Sequence, residues 1–309
     1  MIYVLRKSLR ALFTVWLVVT LTFIVLRASG DPVLSVVNPE NFTRDALEAY
    51  RERLGLDVPI LEQYRRYVLR VLSGDFGRSF LYGDNAWSIV MDRVPATLVL
   101  MLPALALMLL IGVPVGVAAA LWANTALDRG LMAGSVVFFS LPNFFLGLLL
   151  IFLFAVELRW LPSAGSQSWR HAILPIFTIG ASGAAVFARF TRSAMLDALS
   201  KPYVLAARAR GMRRSIVVWR HAFPNTALAL VTVLGFAIGG LIAGAVIVET
   251  IFAWPGLGRL TKHAVQVRDL PVVQVIVFLV TLTMVGANLI VDLLYGWLDP
   301  RIRASGGLR

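Results

Sequence analysis

Cysteine is absent from all 309 residues, which excludes disulfides, thiolate metal sites and a cysteine nucleophile. Charge is also scarce, at 15% of residues where a soluble domain carries about 25%. Acidic residues are scarcer still, 17 against 29 Lys and Arg, leaving a formal net charge of +12. The 3 histidines, His171, His221 and His263, fall in separate loops and form no constellation for metal or acid–base chemistry. There is no G-x-x-x-x-G-K-[ST] phosphate loop. The nearest run, Gly256 to Lys262, lacks the Gly-Lys-Ser/Thr ending, so any nucleotide-driven work must draw its energy from another chain.

Apolar sequence is abundant. Hydrophobic residues make up 59% of the chain and the mean hydropathy is +0.79, more than a chain of this length can hide in its own interior. Lipid is the natural solvent for the excess. A charge of +12 on a soluble protein would suggest nucleic acid, but here the charges cluster between long uncharged runs, which excludes nucleic acid as the main partner. Crossing the hydrocarbon takes roughly 20 apolar residues in a helix. Six stretches qualify, at about 9–27, 96–121, 131–155, 173–188 with a short extension, 226–250 and 272–297. The fourth is short and interrupted by Pro175, Gly180 and Gly183, residues a membrane helix tolerates where neighbours satisfy the backbone. The basic start (Arg6, Lys7, Arg10) followed by the run Ala11 to Leu26 imitates a signal peptide. No small-residue cleavage site follows it, so a retained first helix is expected.

Lys and Arg near helix ends set orientation. With the N-terminus in the cytoplasm, the inner segments collect Arg6, Lys7, Arg10, Arg129, Arg301, Arg303 and Arg309. They also collect Arg189, Arg192, Lys201, Arg208, Arg210, Arg213, Arg214 and Arg220, against only Asp128, Asp197 and Asp299. The outer segments are nearly balanced, so both termini are expected inside. The expected class is an all-α integral membrane protein. It divides into a first transmembrane helix (1–28), an extracytoplasmic helical segment (29–94) and a five-helix core (95–309). Within the outer segment, helix-like spacing covers Thr43 to Leu54 and Ile60 to Leu72. In the second, Ile60, Leu61, Tyr64, Val68 and Leu72 form one apolar stripe behind Pro59.

The inner loop 189–225 is long enough to build structure of its own. Tyr203 to Arg210 is a helical run with a small-residue surface of Ala206, Ala207 and Ala209, and Gly211 permits a turn or a close approach. Ser215 offers an N-cap for a second short helix with Ile216, Trp219 and Phe223 on one side, and Pro224 begins the return to the membrane. From the residues alone, a basic helix lying on anionic lipid and a docking element for a cytoplasmic partner weigh about evenly.

The spacing of Leu205-Ala206-Ala207, Gly211 and His221-x-Phe223-Pro224 resembles the "EAA" loop of bacterial ABC-importer permeases. Ala206, Ala207, Gly211 and Pro224 match that pattern in place, while Leu205, His221 and Phe223 depart from it. The departures are similar to the peptide and nickel branch, through Tyr203 to Gly211 and Arg220-His221-Ala222. Further runs fit the same branch in order. They are Gly30-Asp31-Pro32, Leu54 to Asp57, Gly74 to Phe80, Pro95 to Leu98, Ser140 to Phe144, Val248 to Gly258, Arg268 to Gln274 and Asp299-Pro300-Arg301. The resemblance implies a multi-pass permease of the bacterial inner membrane, forming half of a pathway for di- or oligopeptides, with nickel or another small solute as the alternative cargo. It implies no catalysis and no cofactor on this chain; ATP and Mg sit on partner subunits. The implied partners are a second, related permease in a heterodimer, two cytoplasmic ATPase subunits, an extracytoplasmic binding protein and membrane lipid. Residues implied in ATPase coupling are Tyr203, Ala206, Ala207, Arg208, Arg210, Gly211, His221 and Pro224, with Ala206, Ala207 and Gly211 giving close contact.

Glu249 and Asp292 stand in apolar runs, where carboxylates are costly and functional by default. Glu249 is expected to be a gate or a link to the Phe252–Gly258 turn, and Asp292 a helix-packing residue. Pro142 and Asn143 are expected to kink the third span beside the pathway. Arg78 is a candidate contact for the binding protein, with a structural turn the equal alternative. Trp160, Trp169 and Trp254 have the placing of interface anchors. An ion-coupled secondary carrier would want mid-membrane ionisable residues and internal repeats, and the sequence offers neither. An intramembrane enzyme would want a cluster of nucleophiles or metal ligands.

Overall fold

The computed structural model describes residues 2–28 and 57–298. The helix expected over Thr43–Leu54, the Gly30–Pro32 and Asp299–Arg301 motifs, most of Leu54–Asp57 and the side chain of Asp292 lie outside the described residues. The elements are α1 (Ile2–Ala28), α2 (Ile60–Leu72), α3 (Ala86–Met91), α4 (Val94–Leu121), α5 (Ala126–Ser140) and α6 (Asn143–Leu150), which a π-helical stretch Ile151–Glu157 continues. There follow α7 (Arg170–Ser200), α8 (Pro202–Ala209), α9 (Arg214–Ile216) with a π-helical stretch Val217–Ala222, α10 (Phe223–Ile251), α11 (Leu257–Gln266) and α12 (Leu270–Leu298). The only β pairing among the described residues is an isolated bridge between Arg78 and Asn85. Among the described residues, five helical stretches are long and apolar enough to cross a membrane, and the bent pair α5 and α6 adds a sixth when taken as one span. Large apolar side chains lie on the surface, Leu110 and Phe236 about three-quarters exposed, as a lipid-facing surface requires.

The chain forms two compact units, one of Met1–Pro95 with Gly256–Val285 and the other of Ala96–Pro255 with Gly286–Arg309. In the first, α2 begins behind Pro59 as its spacing predicts. It leans on α1 through Tyr64 and Tyr67, whose rings lie 5.4 and 5.3 Å from that of Phe23, and Tyr64 and Thr20 share a 2.7 Å hydrogen bond. The other edge of its apolar stripe is bare, with Leu61 and Leu72 each 77% exposed. A separate core joins Phe76, Ala86 and Val90 to Leu257, Leu260, Ala264 and Val272.

In the second unit α4 and α7 approach closely because the chain places glycine at the contact. A Cβ on Gly112 would lie 2.6 Å from the carbonyl oxygen of Ala184, and one on Gly116 would lie 2.5 Å from Cβ of Thr191. Gly180 likewise receives Leu107, and Gly183 receives Met108. Small residues let membrane helices meet backbone to backbone. Pro175, Gly180 and Gly183 therefore do not end the fourth span: α7 runs through them for 31 residues, nearly twice the apolar stretch 173–188. Much of it is buried in protein, from Ala172 to Ala198, so it need not be uniformly apolar.

The third span is broken. Leu141, held extended (ψ 121°) by the following Pro142, ends α5, and α6 leaves at 100° to it. The kink expected at Pro142 and Asn143 is thus a full corner. Pro142 is the residue preceding α6, and its carbonyl accepts the N–H groups of Phe145 and Leu146 at 2.9 and 3.0 Å.

Candidate functional site

The loop expected over 189–225 is shorter, because α7 runs on to Ser200 and α10 starts at Phe223, and the segment 201–222 between them folds back onto the ends of α4 and α7. One face of α8 is buried: Val204 and Ala207 pack with Met195 and Ala198 of α7, Val117 and Ala120 of α4, and Val217, Val218 and Ala222. The other face, Tyr203, Leu205, Ala206, Arg208 and Arg210, is exposed. Arg214 donates to the carbonyl of Leu121 at 2.5 Å, satisfying an otherwise orphan acceptor at the C-terminus of α4.

Gly211 closes α8. It sits at φ +76°, its N–H donates to the Arg208 carbonyl at 2.9 Å, and Met212 N–H donates to the Ala207 carbonyl at 3.4 Å. These two bonds define a Schellman motif, whose left-handed residue is usually glycine. A Cβ at Gly211 would meet nothing within 4 Å, so the backbone conformation, and not crowding inside this chain, asks for glycine.

The coupling residues implied by the family resemblance divide accordingly. Ala206 lies on the open face together with Arg208, Arg210 and Tyr203. Ala207 is 4% exposed and seats α8 on the core, so it does not belong to the outer small-residue surface expected of it. The separate second helix capped by Ser215 does not form. Arg213 precedes the one-turn α9, and a π-helical stretch carries the chain straight into α10. Pro224 supplies the reason. It has no N–H for the carbonyl four residues back and its ring presses on that group, and a widened turn relieves both constraints. Ile216 and Trp219 do share an exposed side, with the Trp219 and Phe223 rings 5.0 Å apart. His221 is half-buried, and its carbonyl accepts the Asn225 amide at 3.0 Å. Pro224 itself is exposed in the first turn of α10.

Glu249 is fully buried in α10 and accepts the Thr97 hydroxyl at 2.7 Å. Its backbone carbonyl takes the N–H of Trp254 at 2.8 Å. The Trp254 indole donates to the Ala96 carbonyl at 2.8 Å, and Gly165 N–H donates to the Phe252 carbonyl at 2.8 Å. The Val248–Gly258 motif thus ties the end of α10 to the start of α4. Trp254 is 5% exposed with its donor satisfied, so it is a core residue and not an interface anchor. Trp160 and Trp169 are exposed as expected. Arg78 is exposed on the loop between α2 and α3, whose base is fixed by Asp269. That buried carboxylate accepts the hydroxyl of Ser79 and, at 3.1 Å, the N–H of Phe80.

Two pairs were not foreseen, Ser79–Asp269 and a half-buried Asp128–Arg192 ion pair linking α5 to α7. Their partners lie 190 and 64 residues apart in sequence, and no local pattern announces them.

Two family descriptions match the chain: "Binding-protein-dependent transport system inner membrane component" over residues 112–304, and its N-terminal counterpart over residues 1–101. The glutathione transport system permease protein GsiC of Salmonella paratyphi A is 40% identical over 302 residues, covering 97% of this chain and 98% of that protein. The protein of the same name from Escherichia coli K12 is 39% identical over the same length and shares. Among solved structures, a chain of the MetNI methionine ABC transporter in an inward facing conformation aligns with TM-score 0.58 at 21% identity, covering 68% of this chain and 96% of that one. A chain of an amino acid ABC transporter aligns with TM-score 0.54 at 15% identity, covering 67% and 92%. Helical spans, loop and matches agree, and the chain belongs to the binding-protein-dependent transport inner membrane components, as a multi-pass inner-membrane permease of an ABC importer of the dipeptide, oligopeptide and nickel type.

Proposed function

We propose that the chain is a non-catalytic subunit forming half of the translocation pathway for short peptides or peptide-like solutes, with glutathione the first to test. It pairs with a second, related permease. Two cytoplasmic ATPases bind the pair, and an extracytoplasmic binding protein, touched through Arg78, delivers the cargo. Both termini lie in the cytoplasm. Alternating access follows when ATPase closure pushes on α8. The observation that carries this reading is the two-faced α8: Val204 and Ala207 anchor it to α4 and α7, while Tyr203, Ala206, Arg208 and Arg210 stay open. His221 and Pro224 shape the base of the element. A force on the open face therefore reaches the spanning helices through packed side chains instead of a slack loop. Pro142 and Asn143 belong to the moving pathway, and Glu249 either gates it or ties the Phe252–Gly258 turn to α4. The cargo named for the relatives, glutathione, is peptide-like and favours peptide over nickel.

The test is a gentle detergent pull-down from the native membrane, then reconstitution of the recovered complex. ATP-dependent uptake of reduced glutathione or di- and tripeptides is the expected result. Recovery of the chain without any ATPase, or uptake driven by an ion gradient alone, overturns the reading in favour of a secondary carrier.

A further inference from the structure

Two arginines one turn apart in α7 reach opposite ends of α5. Arg192 holds Asp128, in the first turn of α5, at 2.6 Å. The Arg189 guanidinium lies 5.2 Å from the ring centroid of Phe139, in the last turn. Asp128 and Phe139 are separated by roughly 16 Å of helix, whereas Arg189 and Arg192 are only about 4.5 Å apart along theirs. Arg189 therefore extends along α7 away from the Asp128 end. Helical side chains lean toward the N-terminus of their helix, and with both termini in the cytoplasm the N-terminus of α7 is its outer end.

That direction is informative. An arginine facing lipid near the inner end of a span would reach back to the inner surface, and Arg189 reaches toward the middle of the span instead. It is exposed, and the Phe139 ring beneath it is 54% exposed. The ring contact holds the guanidinium in place while leaving N–H donors for a second partner. The platform is rigid. The neighbouring Phe138 ring meets Phe177 of α7 edge-on at 6.4 Å, and the Asp128–Arg192 fork pins the other end of α5. The corner of the broken span follows at once, with Ser140 exposed and Asn143 half-buried.

We propose that Arg189, supported by Phe139 and set beside the corner at Pro142 and Asn143, is a carboxylate-binding subsite of the translocation pathway. Its ligand is the carboxylate of a peptide or peptide-like solute. The proposal rests on the peptide-import reading above and adds to it the group that the pathway recognises. Such solutes carry an ionised carboxylate at neutral pH, and the planar guanidinium fork matches it with two parallel hydrogen bonds. The same fixed positive charge repels a divalent metal ion, the alternative cargo. A lipid phosphate is the competing anion, but headgroups lie at the surface that Arg189 turns away from.

The experiment uses the assembled importer, purified with its ATPases, in neutral-lipid nanodiscs without binding protein. Thermal unfolding is followed with three probes at equal ionic strength: reduced glutathione, glutathione esterified at both carboxylates, and sodium sulfate. Millimolar glutathione is expected to raise the unfolding temperature of the complex, and the diester and sulfate are not. Arg189→Gln should weaken the apparent affinity for glutathione about tenfold or more. Arg189→Lys, which keeps the charge without the fork, and Phe139→Leu, which keeps the fork without its support, should each retain part of it. In proteoliposomes with binding protein, Arg189→Gln should lower ATP-driven glutathione uptake while ATP hydrolysis persists. Equal shifts from the diester or from sulfate, or a glutathione shift unchanged in Arg189→Gln, overturn the subsite alone. So does the lack of any glutathione shift in an unaltered complex that still imports glutathione. Absence of ATP-driven uptake of both glutathione and peptides overturns the peptide-import reading instead.

Discussion

Arg192 grips Asp128 with both arms of its guanidinium, Nε lying 2.6 Å from Oδ1 and Nη2 2.7 Å from Oδ2. The carboxylate side chain is 3% exposed and the guanidinium 27%, and Asp128 also accepts the N–H of Asn124 at 2.9 Å. The fork joins the first turn of α5 to α7 just before the chain turns into α8. Removing one partner strands the other in a poorly solvated site. Asp128→Ala and Arg192→Ala are each expected to destabilise the protein measurably. Because the pair acts as a unit, the double variant should cost much less than the sum, which a double-mutant cycle on SDS unfolding measures. Additive losses would show that the two side chains work separately.

Gly211 separates two reasons for a glycine. Inside this chain nothing crowds it, and only its positive φ excludes other residues. Asn tolerates that region better than Ala does, and β-branched residues tolerate it worst. Gly211→Asn should keep most ATP-driven uptake. Gly211→Ala should cost roughly 1–2 kcal/mol of local stability and Gly211→Val more, with loss of transport coupled to ATP hydrolysis while the chain remains in the membrane. If Asn fails as badly as Val in coupled uptake assays, close approach of the ATPase is the stronger constraint.

How much of this was legible in the sequence follows from what each feature depends on. Runs of apolar residues depend only on neighbours along the chain, so α1, α4, α10 and α12 could be placed from it, as could α2 behind Pro59. The loop helix α8 and its stop at Gly211 are equally local. The length of α7 was hidden because Gly180, Gly183 and the alanines around them look like a weak membrane helix until α4 is present to fill their surface. The missing second loop helix has a similar cause. Ser215 is a good cap in isolation, but Pro224 downstream imposes a wide turn that merges the segment with α10. Ala207 and Trp254 read as surface residues in the sequence because their burial is decided by α4, distant along the chain.

The glycines at the α4–α7 contact and those of α5 predict opposite outcomes from the same substitution. A Cβ at Gly116 would lie 2.5 Å from the Thr191 Cβ and press on the Ala188 carbonyl, whereas at Gly130 and Gly134 it would meet nothing within 4 Å. Gly116→Ala should therefore cost about 1–3 kcal/mol through overpacking. Gly130→Ala and Gly134→Ala should be neutral or slightly stabilising, since alanine is the better helix former. Thermal unfolding of the purified variants checks this, and equal losses at all three sites would contradict the packing.

Glu249 offers the choice between a structural tie and a group that must change charge. Its Oε1 accepts from Thr97, its carbonyl from Trp254, and the Trp254 indole reaches Ala96 beside Thr97. A tie of this kind needs an acceptor and a shape, and glutamine supplies both. Glu249→Gln is expected to fold, assemble and transport at close to the normal rate, with no change in its pH profile. Glu249→Leu, which removes the acceptor from a fully buried site, should lose about 1–3 kcal/mol and much of its membrane yield. Thr97→Val should show part of that loss, and adding it to Glu249→Leu should cost little more. If Glu249→Gln instead accumulates normally but hydrolyses ATP without moving solute, the carboxylate charge itself takes part in opening the outer end of the pathway.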